Sequence, residues 1–166
     1  MIDSLPAPLP TRRAGAGGAP SEALVPKITD FGLAKRLESA VDLTITGQVL
    51  GTPSFMPPEQ VDTRRGALGP AADIYALGAI LYNMITGRPP FQAAGVHETL
   101  AQVLDCEPVP PRQLNATVDR DLETICLKCL DKDPSRRYAT AQDLADELRR
   151  FLDQRPIVAR PIGSLA

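Results

Sequence analysis

The segment that most constrains the fold runs from residue 74 to residue 85. It reads Ile-Tyr-Ala-Leu-Gly-Ala-Ile-Leu-Tyr-Asn-Met-Ile, so apolar residues occupy almost every helical position. The element starts near Pro70, and Gly87, Pro89 and Pro90 are typical of its end. Because a helix that is apolar on every face has to be covered on every face, the pattern predicts a helix that is buried all round.

Three more helices are expected further along the chain. Residues 96 to 104 have a weaker helical pattern, which a cluster of prolines ends. A helix from Asp119 has acidic residues in its first turn and an apolar stripe at spacings of 3, 4, 7 and 8, formed by Leu122, Ile125, Cys126, Cys129 and Leu130. The last helix begins at Thr140, where Asp143 can complete a capping box, and its expected buried positions are Leu144, Leu148, Phe151 and Leu152.

Composition limits the size of the domain and excludes several partners. The chain has 166 residues, 43% of them hydrophobic, which suits one globular domain and not two. Its 18 Lys and Arg residues against 20 Asp and Glu leave no basic surface for nucleic acid or an anionic membrane. The longest apolar stretch is shorter than the roughly 20 residues that cross a bilayer. With three cysteines and no targeting signal, we expect a cytoplasmic protein without a membrane segment.

Five short motifs carry a family resemblance. Residues 27–32, Lys-Ile-Thr-Asp-Phe-Gly, resemble the magnesium-binding segment of protein kinases. Residues 51–59, Gly-Thr-Pro-Ser-Phe-Met-Pro-Pro-Glu, resemble the end of a kinase activation loop, with Pro-Pro-Glu in place of Ala-Pro-Glu. Residues 73–78 and 86–91 resemble the start of the family's central helix and the segment after it, and residues 133–138 match its late arginine motif. The order and spacing of these motifs resemble those of bacterial, eukaryotic-like Ser/Thr kinases.

The resemblance implies a fold and three divisions of the chain. We expect a mainly α structure, the large C-terminal lobe of a protein kinase, incomplete relative to an α+β parent fold. Residues 25–152 would be this partial kinase domain. Residues 1–24, rich in Pro, Ala, Gly and Ser, are expected to be a disordered tail, and residues 153–166 an extended one. A short strand is indicated at residues 24–29, followed by a long loop to Pro57.

The resemblance also implies roles in binding. Asp30 would hold the Mg²⁺ that bridges the phosphates of ATP, and Gly32 would permit the backbone twist beside it. Gly51, Thr52 and Pro53 would shape the pocket that binds a protein substrate beside its phospho-acceptor. ATP and Mg²⁺ are therefore the cofactors that the family implies.

Structural and regulatory roles follow in the same way. Glu59 and Arg137 are expected to form a bidentate ion pair beneath the substrate loop. Asp73 resembles the residue that accepts backbone N–H groups from the catalytic loop. Thr44 and Thr46 lie where activation-loop phosphorylation falls in the family, although an unmodified exposed loop residue remains the alternative for each.

Several parts of a working kinase do not occur in this sequence. The family requires a Gly-rich loop, a strand lysine paired with a helix glutamate, and a His-Arg-Asp loop that supplies the catalytic base. The only histidine is His97, far downstream, and residues 15–18 do not fit the Gly-rich pattern. We therefore assign no catalytic base and expect no phosphotransfer from this chain alone. In the family fold the central helix packs on another long helix and on the catalytic loop, both encoded before the Asp-Phe-Gly segment, so some of the surface of residues 74–85 is expected to face water.

Three functional readings remain. In the first, the chain is a fragment with the family's function, ATP-dependent phosphorylation of protein Ser/Thr, and its partner is a protein substrate or a complementary kinase segment. In the second, it is a pseudokinase-like module that binds proteins through its activation segment and residues 96–104. In the third, Cys126 and Cys129 form a metal or redox motif. A structural zinc site needs four ligands, whereas these cysteines lie mid-helix and Cys106 is the only other thiol, so core packing is favoured.

Overall fold

Helices account for the regular structure of residues 52 to 159, which is the part of the chain that the computed structural model describes. The six α-helices are α1 (Pro58–Val61), α2 (Pro70–Thr86), α3 (Val96–Asp105), α4 (Pro111–Leu114), α5 (Arg120–Cys129) and α6 (Ala141–Leu152). Short 3-10 helices lie at Pro53–Phe55, Thr63–Arg65 and Pro134–Arg136. This range contains no β-strand, and none of its helices has the length and hydropathy of a membrane span. The tail expected at residues 1–24 and the strand expected at 24–29 lie outside it.

Helix α2 is bounded by the residues that the sequence indicates. Pro70 occupies its first turn, where the missing N–H of proline has no intrahelical partner to lose. At the other end Gly87 adopts a left-handed conformation with φ of 77°, and its N–H donates to the carbonyl of Asn83. Asn115 Nδ2 also donates to the carbonyl of Ile85 over 2.9 Å, so local signals set the end of the helix at Thr86 and a distant side chain supports it.

Helices α2 and α5 approach each other closely. A methyl group on Gly78 of α2 would clash with the Cβ atom of Cys129 on α5, so only glycine fits at this crossing. The thiol of Cys126 also donates to the carbonyl of Gly78, with 3.6 Å between Sγ and O. On α5 the stripe predicted from the sequence is buried at Ile125, Cys126, Cys129 and Leu130. This contact forms the centre of the described fold.

Helix α6 begins with the predicted capping box. The backbone N–H of Asp143 donates to Thr140 Oγ1 over 3.0 Å, and the backbone N–H of Thr140 donates to Asp143 Oδ2 over 3.0 Å. Leu144 is buried, but Leu152 is 76% exposed, so its predicted burial is wrong. At 100° per residue, Leu152 lies about 80° around the helix from Leu144, past the edge of the apolar stripe.

The core consists of two adjoining groups of buried residues that share α2 and α5. One group is formed by Ile74, Ile125, Cys129, Tyr138, Leu144 and Ala159. The other is formed by Tyr75, Ala79, Tyr82, Cys126 and Leu130. Burial of this kind contributes roughly 25 cal/mol per Å² of apolar surface, so both groups favour the folded state.

One face of α2 is not covered. Leu77, Ile80 and Met84 are 46%, 48% and 66% exposed and follow one another at helical spacing; we call them the exposed row of α2. The prediction that this helix is buried all round is therefore wrong for these three positions. The expectation that part of its surface faces water is confirmed.

Two cations hold the carboxyl end of α3. Arg65 donates from Nη1 to the carbonyl of Leu104 over 2.9 Å and pairs with Asp105. Lys132 donates from Nζ to the carbonyl of Val103 over 2.6 Å. Because the last carbonyls of a helix have no intrahelical partner and carry partial negative charge, both contacts stabilise α3 in place.

Candidate functional site

A buried ion pair lies at the centre of the candidate site. Arg137 Nη1 lies 2.7 Å from Glu59 Oε1, and Arg137 Nη2 lies 2.8 Å from Glu59 Oε2. The two side chains are 0% and 1% exposed. The guanidinium therefore meets the carboxylate through two parallel hydrogen bonds, which is the bidentate arrangement expected from the sequence.

Two further N–H groups of Arg137 donate to main-chain carbonyls. Its Nε donates to the carbonyl of Asp131 and its Nη1 to the carbonyl of Ala71, both over 2.8 Å. Its guanidinium lies over the ring of Tyr75, 4.9 Å from the ring centroid. One side chain thus ties α1, α2 and the segment after α5 together, which holds the chain from Pro53 to Val61 against the rest of the fold.

Tyr75 combines this stacking with an unusual hydroxyl. The residue is fully buried, and its hydroxyl oxygen has no hydrogen-bond partner among residues 52 to 159. Burial raises the pKa of the phenol above its ordinary value. The ring therefore has a packing and cation–π role here, and the hydroxyl remains neutral.

A surface cleft of about 370 Å³ lies beside the segment that Glu59 anchors. It is lined by Thr52, Phe55, Met56, Pro57, Gln60, Ala72, Asp73 and Ala76. Thr52 is exposed at the start of the 3-10 turn, where its carbonyl accepts the N–H of Phe55 over 3.1 Å. Asp73 is exposed in the first turn of α2. The structure therefore brings Thr52 and Asp73 to one cleft, with Pro53 half-buried next to it.

The other residues singled out in the sequence fall outside this region. Asp30, Gly32, Thr44, Thr46 and Gly51 precede the described residues, so their predicted roles in metal, nucleotide and substrate binding or regulation stay predictions.

The cysteines do not form a metal centre in the described part of the chain. Cys126 and Cys129 are free and buried, and Cys106 is free and exposed. Residues 52 to 159 hold no cluster of three or more His, Cys, Asp or Glu side chains that could bind a metal ion. Burial raises the pKa of Cys129 to about 12, and it raises the pKa of Cys126 as well, so both thiols stay protonated at neutral pH. This favours core packing for the pair.

Two residues that support the fold around the site were not identified from the sequence. Tyr75 was read only as an apolar position, and nothing local in the sequence shows that its ring supports Arg137. Lys132 follows α5, and its Nζ lies 4.0 Å from the ring centroid of Phe91 and donates to the carbonyl of Val103 at the end of α3. Burial lowers the pKa of Lys132 to about 8. Both roles depend on contacts between segments that are distant in sequence.

Comparison with known proteins agrees with this arrangement. Residues 20–148 match the family model described as "Protein kinase domain". The chain is 34% identical over 130 residues to the serine/threonine-protein kinase PknB of Mycobacterium leprae, covering 78% of this chain and 21% of that one. It is 37% identical over 127 residues to PrkC of Bacillus subtilis, covering 76% and 19%. The chain thus spans about a fifth of the length of these relatives.

A solved structure supports the fold. The twitchin kinase region from C. elegans superposes with a TM-score of 0.51 at 24% identity, covering 56% of this chain and 16% of that one. At this identity the likeness concerns the fold alone, and it agrees with the mainly helical, kinase-like lobe expected from the sequence. Together with the extent of the family match, these findings show that the chain belongs to the protein kinase family, with bacterial Ser/Thr kinases among its relatives.

Proposed function

We propose that residues 25–152 form the activation segment and large-lobe helices of a Ser/Thr protein kinase domain, whose reaction transfers the γ-phosphate of ATP to a protein hydroxyl. The observation that best supports this proposal is the buried Arg137–Glu59 pair. It anchors the segment that begins with Thr52 and Pro53, which leaves Thr52 exposed at the cleft where a substrate chain would bind.

The proposal gives each site residue one task. Asp30 would ligate Mg²⁺ on the phosphates of ATP, with Gly32 allowing the backbone to turn beside it. Gly51, Thr52 and Pro53 would position the substrate chain. Mg²⁺ supplies neutralisation of the phosphate charge when it is bound, while these residues of the chain hold the reacting groups in place.

Further assignments cover structure and regulation. Asp73 would accept backbone N–H groups from a catalytic loop at the cleft that it lines. Thr44 and Thr46 would be phosphorylation sites that order the activation segment. We also propose a cytoplasmic location for the protein.

We also propose that this chain on its own does not transfer phosphate. Phosphoryl transfer depends on positioning and electrostatics, and the sequence contains neither a His-Arg-Asp segment nor a Gly-x-Gly-x-x-Gly loop. A complementary kinase segment would supply the base and cover the exposed row of α2. Productive binding of ATP by this chain would depend on the complementary segment too.

Two assays test the proposal. The purified chain with Mg²⁺, labelled ATP and a basic protein substrate is expected to incorporate no more label than its Asp30→Ala variant; incorporation above that control would overturn the proposed inactivity. A chimaera that joins this chain to the part of the PrkC kinase domain before its Asp-Phe-Gly segment tests the inherited reaction. Its activity is expected to be lost in Asp30→Ala and reduced in Thr52→Ala, and an active chimaera insensitive to both would refute the assigned roles.

The exposed row of α2 favours a second candidate, a non-catalytic module that binds another protein. Binding of that protein would then survive Asp30→Ala and be lost in Ile80→Glu, which places a charge in the row. Binding that requires Asp30 and ATP would instead support the kinase reading.

A further inference from the structure

Glu147 of α6 is a buried carboxylate whose partners are main-chain amides. The residue is 3% exposed. Its Oε1 accepts the N–H of Val158 over 2.6 Å, and its Oε2 accepts the N–H of Ala159 over 2.7 Å. The hydroxyl of Tyr138 lies 3.5 Å from Oε2. No Lys or Arg pairs with Glu147 among the ion pairs of residues 52 to 159.

Removing the charge of a carboxylate from water costs free energy, so a buried carboxylate such as Glu147 requires particular hydrogen-bond donors. A carboxylate removed from water is tolerated only where donors replace its hydration, and here the two principal donors belong to consecutive residues of one segment. Each oxygen accepts one N–H, and the chain bends at Val158 and Ala159, so the carboxylate recognises a bent main chain whose two consecutive amides point the same way. These two hydrogen bonds do not depend on the side chains of residues 158 and 159, and the side chain of Ala159 is recognised by other contacts.

Burial alternates along residues 157 to 159, where the chain bends at Val158 and Ala159. Ile157 packs against the core, Val158 is 68% exposed, and Ala159 is 3% exposed beside Tyr138 and Leu144. The bend at residues 158 and 159 accompanies the two contacts of their amides with Glu147, and it leaves the side chain of Val158 in water. The buried position at 159 holds a small side chain among close neighbours.

We propose that Leu144 and Glu147 of α6, together with Tyr138 just before it, form a binding site for a bent peptide segment of the pattern apolar–any–small, and that residues 157–159 occupy it in cis. Glu147 is the recognition residue, since it accepts the two amides. Packing among the described residues accordingly continues to Ala159. The proposal is independent of phosphate transfer.

Amide hydrogen exchange of the full chain, followed by NMR, tests the role of Glu147. In Glu147→Gln one oxygen becomes an NH₂ group that cannot accept, so the amides of Val158 and Ala159 are expected to exchange about 10-fold to 100-fold faster. The matched control is Asp146→Asn, because Asp146 is an exposed neighbour that pairs with Arg149 at the surface. Unchanged exchange at residues 158 and 159 in Glu147→Gln, or equal acceleration in Asp146→Asn, would overturn the proposal.

A second variant keeps the test decisive if Glu147→Gln perturbs α6. Ala159→Glu leaves α6 intact and places a second carboxylate beside Glu147, which should release the segment while amides of α2 stay protected. A synthetic peptide with the sequence of residues 155–161 is then expected to bind Ala159→Glu and not the wild-type chain, whose site is filled. Absence of binding to Ala159→Glu, or loss of protection throughout α2, would show that the segment is an inseparable part of the core and refute a separable site.

Discussion

Replacing Arg137 by alanine tests the ion pair that anchors the candidate site. The change removes four hydrogen bonds, two to Glu59 and one each to the carbonyls of Ala71 and Asp131. It also removes the group that lies over Tyr75. Most importantly, it leaves Glu59, which is 1% exposed, as a buried carboxylate without a counter-ion. Losing one partner of a buried pair costs about 3–5 kcal/mol, a large share of the ~5–15 kcal/mol that stabilises an ordinary domain.

Urea denaturation followed by circular dichroism measures this loss as a lower urea concentration at the unfolding midpoint, with an unchanged dependence of the free energy of unfolding on urea. Arg137→Lys should lose less, because an ammonium keeps the charge without the bidentate contact. Exposed Arg149 pairs with Asp146 over 2.8 Å, and Arg149→Ala is the matched control, with an expected cost under about 1 kcal/mol. An Arg137→Ala variant within about 1 kcal/mol of wild type would refute the reasoning.

Three further outcomes are expected. Gly78→Ala should lower the free energy of unfolding by about 1–3 kcal/mol, because the added methyl group meets Cys129. An unchanged melting temperature would contradict the close approach of α2 and α5. Iodoacetamide at pH 8 should label exposed Cys106 and spare Cys126 and Cys129, since burial raises the pKa of both buried thiols; labelling of all three at one rate, by mass spectrometry, would refute this. Burial lowers the pKa of Lys132 from 10.5 to about 8, so between these pH values the unfolded chain binds a proton that the folded chain has released. The free energy of unfolding should therefore rise with pH relative to Lys132→Met, and a pH-independent difference in denaturation would argue against it.

Local signals were sufficient to predict the long helices. The start of α2 near Pro70 and its end before Gly87 agree with the structure, because a proline in the first turn and a left-handed glycine act through the backbone of their own segment. The capping box at Thr140 is local in the same sense. The one-turn helices α1 and α4 were missed, since four residues are too few to show a helical period.

The contacts that build the candidate site could not be predicted from local sequence patterns. Glu59 and Arg137 are separated by 78 positions, and they were paired through the family's motifs, not through any local pattern. No comparable motif indicated that Glu147 binds Val158 and Ala159, because a helical glutamate reads as a solvated charge until its tertiary neighbours are known. Contacts that one carboxylate makes with another segment's backbone leave no periodic trace in the sequence.

The exposed row of α2 is expected to affect how much of the protein accumulates in a cell. Leu77, Ile80 and Met84 present three aliphatic side chains to water on an otherwise well-packed helix. Quality-control chaperones and proteases act on exposed apolar surface, and a ligand that binds only the folded state protects it by mass action. Copies of the chain with this face uncovered are therefore expected to be removed faster than copies with it covered. The abundance of the protein would then follow the supply of whatever molecule covers the row.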